Sequence, residues 1–186
     1  DFHFEKFHNL PYQPLRLLEI GVADGGSLFA WQEYFPNATI TGIDIRSNCK
    51  QYEEGNIKVF IGDQSDVAFL NSVNKMAGPY DIIIDDGGHM MSQQLTSFKT
   101  LFPLLNDGGI YVIEDLHTSY WPAYSDGGEK TIDVLKKLID LRTQDAEEKL
   151  LKTKTAIAVL KALTGNISTQ DQQDSVIEKK SKPTIS

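Results

Sequence analysis

Short runs of β-branched and aliphatic residues alternate with amphipathic segments along most of the chain. RLLEIGV (16–22) reads as a buried strand that the glycines of GVADGGS interrupt. SLFAWQEYF (27–35) has helical apolar spacing, with Ser27 placed to cap its start. ATITGIDI (38–45) and IKVFIGD (57–63) are β-branched runs that finish on or near an aspartate. DVAFLNSVNKM (66–76) is predicted to be a helix and YDIIIDD (80–86) a strand. A helical stretch from about Met90 to Leu105, broken by Pro103 and closed by NDGG, leads to the strand GIYVIED (109–115). Residues 129–163 read as mainly helical with a solvated charged face, and SVIEKK (175–180) as a last edge strand.

Strand and helix in turn, with glycine-rich joints, predict an α/β fold with a mostly parallel sheet and helices on both faces. Ligands in such sheets bind outside the carboxyl ends of the strands. The acids collect there: Glu19 on the first strand, Asp44, Asp63, Asp85 and Asp86, then Glu114 and Asp115. A single Asp after a strand is usually a turn former or a cap, but five acid-bearing strand ends are harder to ascribe to chance.

Composition narrows the partners. The 186 residues suit one domain, and a net charge of −8 argues against nucleic acid or an anionic membrane. The single cysteine, Cys49, points to a reducing, cytoplasmic compartment. No apolar run approaches a membrane span, and the start, DFHFEKF, carries no secretory pattern. The chain does not begin with Met, which is compatible with a trimmed or excised piece.

EIGVADGG (19–26) lets backbone approach a ligand at a helix start, but it is neither G-x-G-x-x-G nor a phosphate loop ending in G-K-[ST]. Asp44 is placed to accept hydrogen bonds from ribose hydroxyls, as in both NAD and S-adenosylmethionine sites. Asp63 and Gln64 could read an adenine edge, or simply form a turn with Ser65. Together these suggest an adenosyl-type ligand.

The stretch DIIIDDGGH joins a buried strand to paired carboxylates and a histidine. If its strand neighbours that of GIYVIED, the two ends lie roughly 5 Å apart and Asp86, Glu114 and Asp115 can converge. Convergent carboxylates repel unless a cation lies between them, and an all-oxygen set favours Mg²⁺, then Mn²⁺ or Ca²⁺. Successive strand residues face opposite ways, so Glu114 and Asp115 share an ion only if the strand has already turned. Otherwise Asp115 is a cap and Glu114 an ion-pair partner. His89 follows two glycines at an expected helix start, where the positive end of the helix favours neutral imidazole, a proton acceptor. His117 reads as packing or bonding locally.

LLEIGVADGGSLFAWQEYFPNATITGID, GDQSD, DIIIDDGGHMMSQQLTSFKTLFPLLNDGGIYVIEDLHTSYW and the late DSVIEKK resemble the macrocin and mycinamicin sugar O-methyltransferases, closely from about Leu15 to Trp121. That resemblance implies a Rossmann-like class I methyltransferase fold, with a lead-in over 1–14, a cofactor and metal core over 15–121, and a helical segment plus edge strand over 122–186. It implies S-adenosylmethionine and Mg²⁺ (or Mn²⁺) as cofactors and a small-molecule hydroxyl acceptor, and it is compatible with a homo-oligomer. Glu19, Gly21, Gly25 and Ser27 would line the methionine side of the cofactor, with Asp85 facing that end. Asp44 would take the ribose, and Asp63 and Gln64 would lie near adenine. Asp86, Glu114 and Asp115 match the family's magnesium ligands, and His89 its general base. Gly88 and Gln93 stand where the family often has serine and a second histidine. Tyr120, Trp121 and Tyr124 could stack on a sugar, form a lid or simply pack.

Four other readings compete. A polyketide-pathway O-methyltransferase would alkylate a chain hydroxyl, and a metal-free variant would use Glu114 to orient His89. A NAD-dependent oxidoreductase lacks its glycine fingerprint here. A non-catalytic adenosyl-binding scaffold is disfavoured because nothing obvious is missing from the proposed machinery.

Overall fold

In a computed structural model, which describes residues 12–144 and 158–160, the β-branched runs become parallel strands. These are β1 (Arg16–Ile20), β2 (Thr39–Asp44), β3 (Ile57–Ile61), β4 (Ile82–Asp85), β5 (Ile110–Ile113) and β6 (Ala158–Leu160). Their order in the sheet is β3-β2-β1-β4-β5-β6. The chain therefore winds outward in one direction from β1 to β3, then crosses back to β4 and winds the other way. The crevice between the carboxyl ends of β1 and β4 is the switch point where such sheets hold ligands.

Among the described residues, four α-helices cover the sheet: α1 (Gly26–Tyr34), α2 (Val67–Ala77), α3 (Met91–Leu101) and α4 (Thr131–Gln144). The pleat sorts side chains to the two faces by parity. Leu17, Ile82 and Ile84 pack with Leu28 of α1 and Cys49 on one face. Leu18, Ile20 and Ile83 pack with α2, α3 and α4 on the other, through Leu70, Phe98 and Leu135. Strands buried on both faces account for the continuous apolar runs.

Local chemistry sets the joints. Asp66 caps α2, its Oδ1 accepting the amides of Ala68 and Phe69 at 2.8 and 3.1 Å. Asp81, at the amino end of β4, accepts the Arg16 amide at 2.7 Å and the Asn106 side chain at 2.8 Å. Its neighbours Asp85 and Asp86 lie at the opposite end of the strand, where ligands bind.

Two expectations change. α1 begins at Gly26 after Gly25 in the left-handed region, with no side-chain cap. Ser27 lies within its first turn and turns inward to bond Glu19. Residues 129–163 include strand as well as helix: α4 covers Thr131–Gln144, and Ala158–Leu160 pair with Tyr111–Ile113. Backbone pairing with the open edge of β5 overrides the local helical pattern there. SVIEKK (175–180) lies outside the described residues. No helix among the described residues is long and apolar enough to cross a membrane.

Candidate active site at the switch point

A cavity of about 240 Å³ opens at the carboxyl ends of β1, β2 and β4, lined by Gly21, Asp44, Arg46, Asp63, Gln64 and Asp86 among others. Gly21 makes its floor possible. Its φ is +97°, and a Cβ there would lie 2.1 Å from the Asp86 carbonyl oxygen, so only glycine lets the β1 and β4 loops close together. The Asp86 amide donates to the Ile20 carbonyl at 2.9 Å, continuing the ladder past the strands.

Asp44 organises the rim. Its Oδ2 accepts the amides of Val22 and Ala23, both at 3.0 Å, and its Oδ1 accepts the Arg46 amide at 2.8 Å and Nε at 3.1 Å. Burial alone would raise its pKa, but the Arg46 side chain and the amides outweigh that and hold the carboxyl at about 2. The carboxylate is thus permanently charged and already well supplied with donors. Arg46, whose side chain is 53% exposed, is the partner that other donors can displace.

Glu19 lies on the α1 face, 2% exposed. Ser27 Oγ and Trp31 Nε1 donate to it, the latter at 2.6 Å. Burial pushes its pKa up to about 7, with the charges of Asp86 and Glu114 adding in the same sense. Between pH 4.5 and 7 the folded state therefore holds a proton that the unfolded chain has released. Stability falls as pH rises through that window, by up to about 3 kcal/mol. Glu19→Gln is expected to flatten this part of the profile, read as Tm against pH; an equally steep fall in the variant would clear Glu19 of it.

The acids near β4 and β5 part company by parity. Asp86 and Glu114 carry the parity of Ile84 and Val112, which pack on the α1 face, and their charges act on Glu19. Asp115 breaks the alternation: its φ is +52°, so the chain has turned and its side chain swings to meet Asp86. Ligand atoms of Asp86, His89 and Asp115 all lie within 4.8 Å of one another. His89 Nε2 is 3.8 Å from Asp86 Oδ1 and 3.6 Å from Asp115 Oδ2, while its Nδ1 is buried with no hydrogen-bond partner. Glu114 lies outside this cluster. Its amide bonds the Asp85 carbonyl, and its own carbonyl accepts Gln94 Nε2 at 3.1 Å.

Among the described residues, the non-glycine residues with positive φ are Ala23, His89 and Asp115. They follow β1, β4 and β5, one per strand end around the crevice. Such backbone is costly for non-glycine residues and gathers at functional sites. Thr118 ties two of them together, its hydroxyl 2.7 Å from the Asp115 carbonyl and 3.4 Å from that of His89. Helix α3 starts at Met91, so His89 stands two residues before it, edge-on to Tyr124 at 6.2 Å. Trp121 continues the aromatic row, 6.0 Å from Tyr124 and 4.6 Å from His117.

One site expectation is corrected, at Asp85, and three other expected residues are packed or bonded within the fold. Asp85 does not face the cavity: it shares the parity of Ile83 and is fully buried on the α3 face, where burial raises its pKa to about 6. Gln64 lines the cavity, yet both ends of its amide are engaged, by Asp85 and Gly88. Asp63 is occupied in a turn, accepting the Ser65 amide and hydroxyl at 2.8 and 2.7 Å. The position a side chain would take at Gly25 is filled by the Tyr52 ring. Ser97 and Tyr111, which hold Asp85, and Trp31, which holds Glu19, carry no motif in the sequence. The signal available was polar Gln94 and Ser97 on the apolar face of α3.

This combination of sheet order, glycine joint and acid-bearing strand ends defines a class I methyltransferase fold. The chain is 41% identical over 149 residues to 8-demethyl-8-alpha-L-rhamnosyl tetracenomycin-C 2'-O-methyltransferase of Streptomyces olivaceus, covering 74% of this chain and 38% of that enzyme. It is 41% identical over 155 residues to mycinamicin VI 2''-O-methyltransferase of Micromonospora griseorubida, covering 75% and 37%. Among solved structures, the MycE methyltransferase of mycinamycin biosynthesis in complex with Mg, SAH and mycinamycin VI superimposes with a TM-score of 0.67 at 39% identity, over 76% of this chain and 42% of that one. No family model matches. The chain belongs to the macrocin and mycinamicin type of sugar O-methyltransferases, and it spans about two fifths of the length of these relatives.

Proposed function

We propose that the protein transfers a methyl group from S-adenosylmethionine to a hydroxyl of a natural-product sugar, with a divalent ion, Mg²⁺ or Mn²⁺. The observation that carries this reading is a shared residue: Asp86 lines the switch-point cavity and also belongs to the cluster with His89 and Asp115. One side chain thus joins the switch-point crevice to a candidate metal site.

The residues fit both groups. Gly21 admits close backbone approach, and Asp44 offers a charged carboxylate from which ribose hydroxyls can displace the exposed Arg46. Asp86 and Asp115 supply hard oxygen donors, with Glu114, which shares the strand parity of Asp86, as the third carboxylate. When bound, the cofactor supplies an electrophilic methyl on a sulfonium, and the ion supplies Lewis acidity toward an alcohol. The chain's own work is then positional and protolytic. His89 Nε2, directed at the two carboxylates, accepts the proton that the acceptor hydroxyl loses. The loops after β1 and β4, locked by Gly21, set the distance between the two reactants.

A sugar acceptor suits the aromatic row of Tyr124, Trp121 and His117 beside His89, since ring faces stack on sugar C–H surfaces. The net charge of −8 and the buried lone Cys49 support a small-molecule partner and a cytoplasmic setting. The core assigned to residues 15–121 carries every proposed ligand.

Incubation with S-adenosylmethionine and deoxysugar glycosides is expected to add one methyl mass to the acceptor. The transfer should stop in chelator and return with Mg²⁺. Undiminished transfer after exhaustive chelation would leave the metal out of the reaction.

A further inference from the structure

Beneath the loop that carries Asp86 and His89 runs a buried polar chain that the proposed reaction does not use. Asp85 points away from Asp86 into the α3 face and is fully buried. Its Oδ1 accepts Gln64 Nε2 at 3.1 Å, and its Oδ2 receives the hydroxyls of Ser97 and, at 3.4 Å, Tyr111. Gln64, 6% exposed, accepts the Gly88 amide through Oε1 at 2.7 Å. The amide orientation is dictated chemically, because the reverse would set oxygen against carboxylate and N–H against N–H. Contact with the loop is close: a Cβ on Gly87 would lie 2.0 Å from Gln64 Oε1.

We propose that Gln64 is a positioning residue whose amide bridges buried Asp85 to the Gly88 backbone and so holds Asp86 and His89 where they meet Asp115. The inference rests on the metal-site reading above and deepens it. Gly87 and Gly88 separate the two functional residues and have no side chains with which to anchor themselves. His89 is held at a positive φ of 59°, which some neighbouring restraint must maintain. Gln64 contributes to that restraint from the loop after β3, beside the Thr118 hydroxyl on the His89 carbonyl and the Gly87 amide on Asp85, and Asp85 fixes the Gln64 amide. Ser97 and Tyr111 hold Asp85 in turn, so the height of the loop is referred to the rigid end of β4 and to α3. With both ends of its amide engaged, Gln64 acts on the loop and leaves adenine recognition to other groups.

The test uses Gln64→Met, close in shape and unable to form either hydrogen bond. Exchange of the Gly88 amide in the ligand-free protein, read by NMR, is expected to speed up about tenfold or more. Mn²⁺ affinity, read by the EPR signal of the free ion, should fall about 10- to 100-fold, with a lower unfolding temperature as well, because buried Asp85 loses a donor. The double variant Gln64→Glu/Asp85→Asn restores the order of donors and acceptors. Its amide at position 85 donates to the carboxylate at position 64, which also accepts the Gly88 N–H. It should bring both readouts back toward wild type, which a merely structural role would not do. If Gln64→Met does not fold, Gln64→Asn, one methylene shorter, reaches only one partner and serves for the same measurements. Unchanged Gly88 exchange overturns the proposal whatever the ion does. Weaker SAH binding with unchanged exchange and Mn²⁺ affinity overturns it too, and makes Gln64 an adenine contact. Faster exchange in the variant, with no Mn²⁺ binding by the wild type, supports the bridge and sinks the metal reading instead.

Discussion

His89→Asn is expected to lower the proposed methyl-transfer rate by roughly 10²- to 10⁴-fold, the usual worth of a positioned general base, while SAH still binds. Asparagine is the informative replacement because residue 89 has a φ of 59°, a left-handed conformation that Asn tolerates better than Ala does. The loop keeps its shape and only the basic nitrogen is lost. Nε2 lies 3.6 and 3.8 Å from the two carboxylates, beyond a direct hydrogen bond but within reach of a proton on a group seated between them. Measuring product mass against time, together with SAH affinity by calorimetry, separates loss of chemistry from loss of the site. Full turnover by His89→Asn would assign deprotonation elsewhere.

Asp115→Asn is the second large effect. It preserves the left-handed turn at φ 52° and the carbonyl that Thr118 holds, and it removes one of the two negative charges nearest His89. Oxygen-ligated dications are bound largely through ligand charge, so this change is expected to weaken Mg²⁺ binding and cut activity by about 10²-fold or more at low Mg²⁺. Raising Mg²⁺ should recover part of the loss. His89→Asn should gain nothing from the same treatment. A magnesium titration of both variants therefore distinguishes a ligand from a base. If Asp115→Asn retains wild-type activity at limiting Mg²⁺, Asp115 is not a ligand.

Much of this site was legible before any coordinates. Alternating strands and helices, a glycine joint after the first strand, and acids at successive strand ends are local patterns carried by periodicity and turn chemistry. The structure departs where side chains answer to distant partners. Gln64 turned to Asp85 and Gly88, and Ser27 to Glu19. Each is a polar group satisfying itself inside the fold, which spacing along the chain does not specify.

The sequence by itself determined the α/β class, the location of the chemistry at the carboxyl ends of the strands, and the residue types available there. Only the tertiary structure decided which acids meet. Adjacent Asp85 and Asp86 were sent to opposite faces by the pleat, one into the core and one to the crevice. The left-handed turn at Asp115 brought it to His89 and left Glu114 outside that cluster. Strand order set β4 beside both β1 and β5. The physical reason is that secondary structure follows from neighbours along the chain, whereas convergence depends on pleat parity and on a few backbone dihedrals held by contacts distant in sequence.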